Sequence, residues 1–219
     1  MKIKTLFKII WINSWLNFRK PLVEIEIENI YDRLANKIIK HELLKMPDLN
    51  SESSANYYCN HNINIFHIQG GKWLSSFLGY SKEIPYWITP WGGCAKDYFK
   101  KKRLSVKHAE IYVSNFKKVE NSIKVEGYNP KKYGYITGQL LINDKGERRF
   151  IVWNGYRRIL SLTRLNYKKV TVEISGGDRW DGKIRNHTFN INEAKKWNNV
   201  KNNLYTTEEA KKFFNKFFE

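Results

Sequence analysis

Cysteine is scarce in this chain: 219 residues carry only Cys59 and Cys94. Two thiols make no disulfide framework, and the lack of any Cys-x-x-Cys pair removes the usual thiolate metal site. Ordinary reduced thiols of a cytoplasmic protein are the plain reading. The alternative is a catalytic Cys94, which follows Gly92-Gly93 in a turn. Acid is scarce too: 21 Asp and Glu stand against 39 Lys and Arg, a net charge of +18. That imbalance points to nucleic acid, anionic lipid head groups or phosphorylated small molecules as partners. The wealth of Asn, Lys and Ile is also what an AT-rich genome encodes, which weakens charge as an argument. No internal repeat, low-complexity segment or clear linker is present. Hydrophobic residues at 42% and aromatics at 15% exclude a disordered chain. A single α/β domain over 21–219, preceded by a short extension over 1–20, is the expected organisation.

That extension lacks acid altogether. It carries Lys2, Lys4, Lys8, Arg19 and Lys20, with Ile3, Leu6, Phe7, Ile10, Trp11 and Phe18 close to helical spacing. Lys8, Asn13 and Asn17 break the apolar run, so it is neither a signal peptide nor a bilayer span. Two readings stand: a basic helix lying in an anionic membrane interface, peripheral on the inner face, or a helix packed on its own domain with its lysines solvated.

Beyond Pro21, alternation predicts a strand over 22–27, and apolar Ile30, Leu34, Ile38 and Leu44 predict a helix over 28–45. A polar loop over 48–60, a strand over 62–68 and a short helix over 73–78 follow. The aromatic, proline-broken run from Ile84 to Trp91 either walls a pocket or plugs the end of a core. The basic run from Lys96 to Lys107, with Arg103, is a solvated face or a holder of phosphate. A helix over 112–126 is predicted from apolar residues at 113, 116, 119 and 123. In the tail, Thr206 and Glu209 match a capping box, and Phe213, Phe214, Phe217 and Phe218 form one stripe of a helix from Thr207.

The richest stretch runs from Gly134 to Ile174. Two β-branched and aromatic runs around Asp144-Lys145-Gly146 predict a hairpin. Gly155 leads into a helix with apolar residues at 159, 160, 162 and 165, then a strand over 170–174, a β-α-β unit. The first turn of that helix offers unpaired backbone N–H groups, a positive dipole end and the guanidinium groups of Arg157 and Arg158. Such a place suits an anion, phosphate above all. Consecutive arginines point apart, so one faces the ligand and the other lies along the helix side.

Gly155-Tyr156-Arg157-Arg158 after a hairpin, with Ser122-Ile-Lys-Val-Glu-Gly127 upstream and Gly138-Gln139 opening a strand, resembles the ParB/sulfiredoxin-like fold. The resemblance covers about residues 105–174. Trp197-Asn-Asn-Val200, Leu204-Tyr205, Ala210 and Phe213 are similar to the tail of ParB-like proteins from bacterial surface-polysaccharide gene clusters. It implies an α/β (α+β) core, a small mixed sheet with flanking helices and helical extensions at both ends. It also implies nucleotide binding, ATP or CTP with Mg2+, through Gly138, Gln139, Asn154, Gly155, Tyr156, Arg157, Arg158 and Arg103. Two departures are plain: no Cys lies beyond residue 95, which removes sulfiredoxin chemistry, and Tyr156 stands where ParB proteins often carry Glu.

The expected activity is therefore nucleotide-dependent phosphoryl transfer, as by a small-molecule kinase, or nucleotide hydrolysis. The acceptor would be a small hydroxylated metabolite of surface-glycan synthesis. Such catalysis is positioning and charge stabilisation. Glu110, then Asp97, is the candidate acceptor of the hydroxyl proton, with His108 as the other base. Asp178 and Asp181, in the Ser175–Gly182 loop, are candidate magnesium ligands, or plain turn residues. Two rivals come from other classes. ParB-like DNA binding suits the charge, but no helix-turn-helix follows the core. A non-catalytic membrane-surface scaffold would use residues 1–20 as its anchor.

Overall fold

The computed structural model describes residues 21–32, 37–40, 44, 89–92, 106–175 and 187–219 and, between 106 and 110, only the side chains of Lys107 and Glu110. The predicted extension over 1–20, the loop over 48–60, the strand over 62–68, the helix over 73–78 and both cysteines lie outside the described residues. So do the part of the basic run from Lys96 to Arg103, Asp97 included, and the loop that holds Asp178 and Asp181.

Val23 and Ile25 alternate with charged residues in strand β1 (Leu22–Glu26), and Ile25 is buried. A 3-10 turn over Ile27–Asn29 leads to strand β2 (Ile30–Tyr31), and a second such turn covers Ile38–Lys40. In the described part of 28–45, these short elements replace the predicted helix. Ile30 and Tyr31 pair in parallel with Phe150 and Ile151, so a sheet edge takes Ile30, the first of the apolar residues whose spacing suggested a helix, while Ile38 is buried in the second 3-10 turn.

Helix α1 (Val106–Glu126) begins six residues before the predicted start at Tyr112. Its apolar positions behave as expected, with Val113, Phe116 and Ile123 buried and Val119 packed against them. Asn129 caps the short helix α2 (Pro130–Tyr133), its side chain accepting the Lys132 N–H at 3.1 Å. Strand β3 (Ile136–Ile142) and strand β4 (Arg148–Asn154) form the predicted antiparallel hairpin. Its turn is held by Asn143 Oδ1, which accepts the N–H groups of Lys145 and Glu147 at 3.1 and 2.8 Å.

Helix α3 (Tyr156–Arg164) and strand β5 (Lys169–Ile174) complete the predicted run. The topology differs from a simple β-α-β unit. The helix joins β4 to β5, but these flank β3 on opposite sides, and the parallel partner of β5 is β3. The sheet order is β1-β5-β3-β4-β2. Strand β6 (Thr188–Asn190) takes the remainder of the β3 edge: β5 pairs with Ile136–Gly138 and β6 with Leu140–Ile142. The result is a six-stranded mixed sheet with helices, an α/β architecture.

Both faces of the centre are covered, which explains the near-continuous apolar character of β3 and β4. Ile136, Leu140, Phe150 and Val152 face a core shared with α1 and α3. Leu141 and Ile151 face a second core built with Trp91 and the tail. That tail has a 3-10 segment over Ile191–Lys196, helix α4 (Asn198–Lys201) and helix α5 (Thr207–Asn215). The first two have no counterpart among the predicted elements. The capping box is present, with Thr206 N–H donating to Glu209 Oε2 at 2.6 Å and Glu209 N–H to Thr206 Oγ1 at 3.2 Å. Of the two roles open to the aromatic run, Trp91 takes the plug: it fills the second core.

Gly138 is required by space. A Cβ there would lie 2.0 Å from the Ile151 carbonyl oxygen and 2.6 Å from the Phe150 ring. Gly138→Ala is expected to cost about 3 kcal/mol through forced backbone movement. Thermal unfolding checks this; an unchanged melting temperature would contradict it.

Candidate functional site

Between α1 and the start of α3 lies an open cleft of about 980 Å³. Each wall has a local cause. Spacing of three and four along α1 brings Tyr112, Asn115, Lys118 and Ser122 to one stripe, beside the face that buries Val113 and Phe116. The connection after α1 supplies Tyr128, Asn129 and Tyr133. Gly127 and Gly134 turn this connection with φ of 74° and 82°.

The third wall depends on a bulge. Thr137 pairs with Asn154 and Gly138 with Val152, so Trp153 is the extra residue of β4. A bulge re-aims its side chain, and Trp153 lines the cleft. Directly after it, Gly155 adopts the left-handed conformation at the cap of α3, with φ of 88°. The first helical bond is made by Ile159 N–H to Gly155 O at 3.0 Å. The N–H groups of Tyr156, Arg157 and Arg158 precede it, as at any helix start. The Gly155 N–H is already engaged, donating to Asn154 Oδ1 at 2.7 Å.

The two arginines divide as expected for neighbours, though both line the cleft. Arg158 Nη1 donates to the Tyr133 carbonyl at 3.0 Å and to the Gly134 carbonyl. Burial pushes its pKa down from the usual guanidinium value. Arg157 lies with its guanidinium carbon 5.5 Å from the centre of the Tyr112 ring. Arg158 thus ties the connecting segment to α3, while Arg157 presents its charge beside an aromatic face. Removing Arg158 should cost the ligand-free fold about 1 kcal/mol, with Arg157→Ala costing less. Urea unfolding of the two variants checks this; equal losses would contradict the division.

Of the residues expected to bind phosphate, Asn154, Gly155, Tyr156, Arg157 and Arg158 come together here. Gly138 and Gln139 do not. Gln139 is fully buried and its Oε1 accepts from Trp91 Nε1 at 2.9 Å, which places it with the second core. Arg103 and Asp97 lie outside the described residues, as does the side chain of His108. Glu110 is exposed on α1 and is not among the described lining residues. Sequence reasoning missed the α1 stripe, Tyr128, Tyr133 and Trp153. The stripe is legible as a polar and aromatic face of a helix, but its destination is not.

Metal fits poorly. Among the described residues no group of three His, Cys, Asp or Glu side chains converges, and the described lining holds no carboxylate. Asp178 and Asp181 lie outside the described residues. No described helix is long and apolar enough to cross a membrane.

Fold and cleft together define a mixed α/β protein with a cationic, aromatic-walled cleft at a helix start. Comparisons of the chain with models of protein families, with curated proteins and with solved structures find no significant match.

Proposed function

We propose that the protein binds a nucleotide in this cleft, on a ParB-like core, and that phosphoryl transfer to a small hydroxylated acceptor is the reaction this binding serves. The observation that carries the reading is the composition of the described lining: Lys118, Arg157 and Arg158 without a carboxylate, beside five aromatic rings. Cations and a helix start suit phosphate, and Tyr or Trp rings suit a base. The hairpin, the left-handed Gly155 and the arginines of α3 also support the ParB resemblance. Transfer needs an acceptor for the hydroxyl proton, and Glu110 stands apart from the lining.

A thermal-shift screen of ATP, ADP, CTP and GTP on wild type and Arg157→Ala tests it. A ligand of the native state raises the melting temperature by mass action. The expected result is a shift in wild type that shrinks in the variant; no shift with any nucleotide would overturn the reading.

A further inference from the structure

We infer that the cleft takes a di- or triphosphate group without a divalent cation, the protein's own cations standing in for the metal. The inference rests on the nucleotide reading and deepens it. Magnesium in nucleotide sites is held by one or two carboxylates together with the phosphates. The described lining supplies neutral side-chain oxygens instead, among them those of Asn115, Ser122, Asn129 and Asn154. The oxygen of Asn154 is already occupied by the Gly155 N–H at 2.7 Å.

Positive charge is plentiful in the same place. Lys118 on α1 and Arg157 and Arg158 on α3 line one cleft. Arg158 is partly buried, and it donates to the neutral carbonyls of Tyr133 and Gly134. Neutral acceptors satisfy the N–H groups of a guanidinium but leave its charge uncompensated. An uncomplexed polyphosphate meets these cations with its full negative charge. Magnesium neutralises two of those charges and weakens the attraction, as does added salt.

Calorimetric titration of the full chain with ATP, CTP and inorganic pyrophosphate, each in EDTA and in excess Mg2+, tests this. Affinity in EDTA should equal or exceed that in Mg2+ by severalfold, and Arg157→Ala should lower it roughly ten- to a hundredfold. Lys118→Ala, at an exposed position, should weaken binding without affecting folding. Binding that requires Mg2+ would overturn this inference and leave the nucleotide reading standing. No binding in either condition would overturn both. Pyrophosphate binding as tightly as the nucleotides would support the inference by assigning recognition to the phosphates.

Discussion

Trp91→Ala is expected to remove roughly 4 kcal/mol of stability, a large share of what a domain of this size possesses. The ring is buried to 1% exposure at the centre of the second core. It stacks on Phe189 at 5.6 Å and meets Trp197, Phe213 and Phe214 edge-on at 5.3, 5.7 and 5.8 Å. Truncation leaves a cavity among rings that belong to separate elements, so no single side chain can fill it. It also strips Gln139 Oε1 of its donor in a fully buried place, a further penalty. Trp91→Phe keeps most of the ring and loses the N–H, so it should cost about 1–3 kcal/mol. Urea unfolding followed by far-ultraviolet circular dichroism measures both. A loss under about 1 kcal/mol for Trp91→Ala would contradict this role of the ring in the second core.

Arg157→Ala is expected to weaken nucleotide binding roughly ten- to a hundredfold while leaving the fold intact. Its guanidinium contacts the Tyr112 ring, an interaction worth little at a partly exposed site. Arg158→Ala should weaken binding as well, but by a different route, because it releases the Tyr133 and Gly134 carbonyls. The two are separated by stability without ligand, which falls in Arg158→Ala and holds in Arg157→Ala. Arg157→Lys keeps charge and loses the planar fork, so it should recover only part of the affinity.

The hairpin, α3, β5 and the capped α5 are legible in the sequence because each is written locally, as turn residues, helical spacing and a capping box. The helix predicted over 28–45 fails for a tertiary reason: Ile30 and Tyr31 are claimed by β4. Gln139 illustrates the limit for the site. Its neighbour Gly138 signals a close approach, but that approach is to Phe150 and Ile151 inside the sheet. Trp153 reaches the cleft through a bulge that depends on pairing with Thr137 and Gly138, information held in two strands together. The destination of the α1 stripe follows from the packing of α1 on α3, where Glu120 and Arg164 are joined at 2.8 Å.

Hydrogen exchange read by mass spectrometry, with and without saturating nucleotide, tests the location of binding most directly. An anion at the start of α3 accepts from the N–H groups of Tyr156, Arg157 and Arg158 and covers the α1 stripe. Exchange is expected to slow in peptides spanning 153–160 and 112–129, with β6 and α5 unchanged. Protection confined to other segments, with these peptides unaffected, would contradict it.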